Sequence, residues 1–299
     1  MPDNTTLTLR RSLAPVALGD AYTDFLLSRQ AMNCTQSTME FYKNTAGAFC
    51  WWLAAHSVTS PQEVTSWHVR RYLAELVEKG RKDTTVHDHA RAVRTLLRFW
   101  HAEKYQTELV TFPMPRLEKK RLLVLTVDQV QIILKACNPR DKAIVLLIVD
   151  SGLRRSEVSR LNWADLDMQT GLLRVRLGKG KKDRSAVVGA KTRRALLAYR
   201  RTLENRDDAM FQDRFGGRLS GAALLLMFRR LSKRTGIHVT AHALRRTFAI
   251  LSLRAGMSPL HLQALGGWSD LEMVQHYAQM VDDDLLQEHR AHSPVDGLL

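Results

Sequence analysis

Residues 172–188 read LLRVRLGKGKKDRSAVV. Leu173, Val175 and Leu177 alternate with Arg174 and Arg176, the polar run GKGKKDR follows at 178–184, and Ser185 to Val188 come after it. A period of two, broken by a tight glycine-containing run, spells a β-hairpin with one buried face. Its turn carries Lys179, Lys181 and Lys182, with Arg184 at the far end. Elsewhere the apolar residues return every three or four positions, as in helices. One hairpin in an otherwise helical chain sets the fold class: mainly α with a small β-sheet.

Downstream of the hairpin, helices are expected over 192–203, 220–235, 240–254, 258–265 and around 271–280. Upstream, Thr126-Val127-Asp128-Gln129 has the form of a capping box that opens a helix through Ala136, and a second helix runs over 141–150 with Gly152 as its stop. The preceding segment TFPMPRLEKKR, 111–121, has two prolines, a charge cluster and no periodicity, which reads as an exposed linker. Before it, helical periodicity covers 18–29, 37–55, 67–79 and 84–101. The chain thus divides into an N-terminal tail (1–14), a helical domain (15–110), a linker (111–125), a mixed α+β domain (126–280) and a C-terminal tail (281–299).

Of 299 residues, 45 are Lys or Arg and 30 are Asp or Glu, a net charge of +15. The excess is uneven: +2 over residues 1–110, +17 over 111–278 and −4 over 279–299. A membrane-surface protein would carry a basic amphipathic helix or tail, but this tail is acidic and the cations lie in folded segments. Nucleic acid is the partner that fits. In helix 84–101, Val86, Ala90, Val93, Leu96 and Leu97 line one side while Arg91, Arg94 and Arg98 lie elsewhere, either for phosphates or as a solvated face. Cys34, Cys50 and Cys137 are an odd, scattered set without CxxC, which supports neither a disulfide framework nor a zinc site. No run of about 18 apolar residues and no signal-peptide core occur, so a soluble, cytoplasmic protein is expected.

Several polar residues stand out, each with an ordinary alternative. Arg154 follows the Gly152 stop in DSGLRRSE and could simply pair with Glu157. Lys179 could be a solvated turn residue, His242 a helix histidine with its bonds satisfied, and Tyr277 a packing tyrosine. His242 and Arg245, at i and i+3, share a helix face, whereas the adjacent Arg246 is turned by a further ~100°.

Taken in order, GLRRSE at 152–157, the GKG turn at 178–180, HALRR at 242–246, and LGGWS at 265–269 with Tyr277 beyond it resemble the signature of the tyrosine recombinase (phage integrase) family. The likeness spans roughly residues 15–280. It implies a helical core-binding domain and a mixed catalytic domain that together clamp duplex DNA as a C shape. It makes Tyr277 the nucleophile, Arg154 and Arg245 the phosphate-clamping arginines, Lys179 the general acid and His242 an acid/base. Trp268 stands at the family's His-or-Trp position nine residues before the tyrosine, and Glu157 at an acidic supporting position. The DNA contacts expected beside these are Arg91, Arg94, Arg98, Lys181, Lys182, Arg184 and Arg246.

The chemistry is reasonable by itself. Phosphodiester cleavage needs an in-line nucleophile, neutralisation of charge on the non-bridging oxygens, and a proton for the leaving 5′-oxygen. Arginine's planar fork donates two parallel hydrogen bonds to phosphate and stays protonated. A phenol with an ordinary pKa near 10 must lose its proton during attack or be acidified by nearby cations. An indole N–H donates but never accepts a proton, so Trp268 stabilises or walls the site. No metal or cofactor is called for: Asp282-Asp283-Asp284 lies in the acidic tail, and His87 and His89, two apart on a helix, point in different directions.

The resemblance implies a site-specific recombinase acting through a 3′-phosphotyrosyl intermediate and a Holliday junction, as a homotetramer or a mixed tetramer on double-stranded DNA. With only some fourteen residues before the helical domain, the chain resembles the simpler recombinases, Xer-type enzymes included, that lack an arm-binding domain. Met280-Val281 and Leu285-Leu286 could anchor an exchanged tail, or the tail could dock on its own domain. A type IB topoisomerase-like relaxase and a non-catalytic DNA-binding protein are the competing readings.

Overall fold

A computed structural model describes residues 16–117, 123–176, 183–204, 208–268, 270–271, 274–275, 277, 289, 293 and 295. The chain forms two compact units, Met1–Lys120 and Arg121–Leu299, each with its own core. The division falls within the stretch 111–125 that the sequence reads as linker.

The first unit has four helices: α1 (Leu18–Ala31), α2 (Gln36–Ala55), α3 (Ser66–Glu78) and α4 (Asp83–Ala102). Helix α4 packs against the other three, and its Leu96, Leu97 and Trp100 are fully buried with Phe25 and Phe49. The Trp100 indole N–H is not left unpaired: it donates to Ala21 O at 3.2 Å. The expected starts and ends of these helices hold within two residues.

The second unit comprises α5 (Val127–Lys135), α6 (Pro139–Ser151), α7 (Arg155–Arg160), β1 (Leu172–Val175), β2 (Arg184–Val187), α8 (Ala190–Arg200), α9 (Gly221–Thr235), α10 (Ala241–Arg254) and α11 (Pro259–Gly266). Residues 271, 274, 275 and 277 are helical as well. Side chains encode the starts. At α5, Thr126 and Gln129 exchange the two bonds of a capping box, 3.0 and 3.2 Å. At α6, Asn138 accepts from the Asp141 N–H at 2.8 Å and Pro139 occupies the first turn. That helix ends at Gly152, whose φ of +62° is the left-handed region; the Phe248 ring fills the space where a Cβ would stand. Fully buried Ile144, Leu147 and Ile148 make α6 the central helix, with α8 and α10 packed on it.

The hairpin is antiparallel, with Leu172 opposite Val187 and Val175 opposite Arg184. Leu173, Val175 and Ala186 face the core. Arg184, read as the end of the turn, is instead the first residue of β2. The turn 177–182, including Lys179, Lys181 and Lys182, lies outside the described residues, as do 1–15 and most of the 281–299 tail. Helix α7 has no counterpart in the sequence reading: six residues are too few to show a period.

Candidate active site

Arg154 is the residue that opens α7. Its backbone N–H donates to Glu157 Oε2 and its Nη1 to Glu157 Oε1, both at 2.8 Å, while its Nη2 donates to Gly267 O at 2.7 Å. The carboxylate is shared: Arg184 Nη2 lies 2.8 Å from the same Oε2. Burial alone would raise the Glu157 pKa, but Arg184 and the bonds from Arg154 outweigh it and hold the group below the usual carboxylate range. The salt bridge that was the ordinary alternative for Arg154 therefore exists, and it orients the guanidinium without consuming it, since only one Nη is spent on Glu157.

Arg245, 3% exposed on α10, donates from Nη1 to Gly152 O and from Nη2 to Gly266 O, the latter at 2.7 Å. Its guanidinium carbon stands 4.2 Å from the Trp268 ring centroid. Burial first, then the Arg154 cation, push the Arg245 pKa down to about 9, which still leaves a cation at neutral pH. Arg246 is only half-buried, so of the two adjacent arginines Arg245 is the one built into the site.

His242 sits one turn before Arg245. Desolvation of the ring, then the cations Arg246, Arg245 and Arg154, lower its pKa below the ordinary imidazole value, so it is neutral at pH 7 and able to accept a proton. Arg154, Thr240, His242 and Arg245 line one cleft of about 380 Å³. Behind it, Trp268 stacks on Phe248 with centroids 6.5 Å apart and meets the Tyr277 ring at 5.7 Å. Tyr277 is 2% exposed and packs with Phe248, Leu262 and Val274. Gly267 takes a φ of +64°, and the Arg184 side chain occupies the place of its missing Cβ.

A sequence profile of the phage integrase family matches residues 123–283, and one for the phage integrase N-terminal SAM-like domain matches residues 20–104. The chain belongs to the phage integrase family. This integrase is 29% identical over 289 residues to the tyrosine recombinase XerA of Saccharolobus solfataricus, covering 92% of this chain and 94% of the relative. It is 32% identical over 245 residues to the tyrosine recombinase XerC of Chlamydia pneumoniae, covering 77% and 78%. Its fold is similar to that of one chain in the crystal structure of a lambda integrase(75-356) dimer bound to a COC' core site, with a TM-score of 0.75 at 19% identity over 88% of this chain and 95% of that one.

Among the described residues, this integrase brings Arg154, Glu157, His242, Arg245, Trp268 and Tyr277 together; Lys179 lies outside them. Arg184, expected as a DNA contact, has a side chain 11% exposed that bonds Glu157 and Leu265 O and does not line the cleft. The register that places it opposite Val175 puts it against α7 and α11 instead of in the turn. On α4, Arg98 is exposed, and Arg91 is exposed but lies 3.3 Å from Asp88 and 5.0 Å from the Phe41 ring centroid. Arg94 is half-buried, with its Nη2 on Phe112 O at 3.5 Å. Sequence reasoning missed the backbone acceptors at Gly152 and 265–267. Their one signal was the LGG of the motif, glycines directly after an apolar helix end. No helix among the described residues is long and apolar enough to cross a membrane.

Proposed function

We propose that the chain is a tyrosine-type site-specific DNA recombinase in which Tyr277 attacks a phosphodiester held by Arg154 and Arg245. The observation that carries this is the single cleft lined by Arg154, His242 and Arg245, with Tyr277 reached through Trp268 behind it. Two guanidinium groups with donors to spare can each take a non-bridging oxygen and offset the charge of the phosphorane. The neutral imidazole of His242 accepts the phenol proton as the Tyr277 oxygen bonds to phosphorus. Trp268 holds the face between the phenol and Arg245. Because Tyr277 is buried, in-line attack calls for its ring to leave the Trp268 packing. Lys179, on the hairpin turn, protonates the departing 5′-oxygen. The 3′-phosphotyrosyl bond stores the energy of the phosphodiester, and the 5′-hydroxyl of a partner strand reverses the step, so no ATP is consumed.

Residues 15–110 serve as the core-binding domain, with Arg91 and Arg98 the exposed candidates for phosphate, and residues 126–280 as the catalytic domain, joined by the linker 111–125. Lys181 and Lys182 add DNA contacts at the hairpin turn, and Arg246 beside the cleft. Two duplex sites exchange strands through a Holliday junction in a tetramer, homomeric or mixed, to which the 281–299 tail contributes by exchange. The chain acts in the cytoplasm, where the three cysteines stay reduced. The test incubates wild-type and Tyr277→Phe protein with a library of nicked duplexes in EDTA and sequences DNA that becomes covalently attached. Adducts at one sequence that require Tyr277 are expected; adducts of equal yield with Tyr277→Phe would remove the assigned nucleophile.

A further inference from the structure

Three guanidinium groups meet three consecutive carbonyls at the C-terminal end of α11. Arg184 donates to Leu265 O, Arg245 to Gly266 O and Arg154 to Gly267 O. A helix C-terminus concentrates unpaired carbonyls and partial negative charge, which suits cations. Two of the three are the phosphate ligands of the proposed reaction; the third has no assigned part in it. Resting on that recombinase reading, we propose that Arg184 is a positioning residue for strand cleavage, which sets where Arg154 and Arg245 present their free donors by holding Glu157 and the 265–267 carbonyls in register.

Arg184 divides the carboxylate. With Arg184 Nη2 on Glu157 Oε2 at 2.8 Å, Arg154 spends a single Nη on Oε1, and its other Nη reaches Gly267 O. An unshared carboxylate would draw Arg154 into a bidentate pair and turn its fork from the cleft. The same side chain fills the Cβ space of Gly267, the residue that follows α11 and precedes Trp268, so it packs on the segment it bonds. Stability alone does not account for such a group. A buried ion pair is commonly replaced by apolar side chains at little cost, and Arg184 also leaves its Nε buried without a hydrogen-bond partner. Nor does phosphate contact, because Arg184, unlike Arg154 and Arg245, does not line the cleft that those two share with His242.

The test uses the full chain as wild type, Arg184→Met, Arg184→Lys and the benchmark Arg154→Ala. Three quantities are measured: the rate of covalent adduct formation on a pool of random-sequence nicked duplexes in EDTA, binding to the same pool across a salt series, and the rise in thermal unfolding midpoint on adding inorganic phosphate. For Arg184→Met the expected result is an adduct rate about 10- to 100-fold lower, as for other residues that orient a ligand from behind. DNA affinity and its salt slope stay within twofold of wild type, the phosphate-induced rise falls by at least half, and Arg184→Lys recovers part of both losses. An adduct rate within threefold of wild type overturns the proposal. So does weakened DNA binding with an unchanged rate per bound complex, which restores Arg184 as a DNA contact. If wild type forms no adducts, the recombinase reading fails by itself, and the phosphate response decides the role of Arg184: a loss supports positioning of the arginine pair, and an unchanged response overturns it. Should Arg184→Met not fold, Arg184→Lys carries the test, and a wild-type rate in that variant overturns the proposal.

Discussion

Glu157 lies between two cations, and its worth is set by what they would do without it. Removing one partner from a buried ion pair costs about 3 kcal/mol or more, so Glu157→Gln should lower stability by about that amount in urea unfolding. The folded-state pKa of this carboxyl is depressed, so its contribution is present above the unfolded value and disappears as pH falls through the folded one. Wild-type stability should therefore drop on acidification below about pH 4.5, and Glu157→Gln should show a shallower acid limb, read from unfolding midpoints across pH. His242 has a linkage of the same sign. Its lowered pKa means that the unfolded chain takes up the proton first, so stability declines as pH falls below about 6.5. The adduct rate should hold down to mildly acidic pH, then fall as the imidazole becomes charged; His242→Gln should be slow at every pH and lack that limb.

At the scale of elements, the site is an agreement between helix ends. Arg154 caps the start of α7, α10 carries Arg245 and His242, and α11 ends in the carbonyls that both arginines use. Gly267→Ala should cost about 1–2 kcal/mol for the left-handed backbone alone and displace Arg184 as well. Its adduct rate should fall toward that of Arg184→Met, whereas Thr126→Ala, which removes one side of the α5 capping box, should cost about 1 kcal/mol and leave the rate untouched. Calorimetry for stability and adduct kinetics for activity separate the two.

The whole molecule divides its charge unequally. Residues 1–120 carry +4 and residues 121–299 carry +11. The logarithm of DNA affinity should fall linearly with log salt concentration, and each true phosphate contact removed should lower the slope by about 0.9. Replacing exposed Arg91 and Arg98 together by Gln is expected to reduce it by about two, while Arg184→Met leaves it unchanged; electrophoretic or fluorescence binding across a salt series makes the comparison.

Most of the fold was legible because its signals are local. The cap at Thr126, the Gly152 stop and the alternation of Leu173 and Val175 each lie within a few residues of what they specify. That Arg245 and Arg246 face different ways was equally readable, since 100° per residue separates neighbours on a helix. Helix α7 was not, being too short to repeat. The bonds of Arg184 were not legible either, because a basic residue beside a lysine-rich turn looks the same in sequence whether it faces solvent or a carboxylate. Composition and periodicity by themselves determined a basic, two-part, mainly helical chain with one hairpin, and the motif order pointed to its family. Only tertiary structure decided which carbonyls hold the arginines, because Arg154 meets Gly267 across 113 residues of chain and Arg184 meets Leu265 across 81. Such contacts depend on how separate elements pack, which no local pattern encodes.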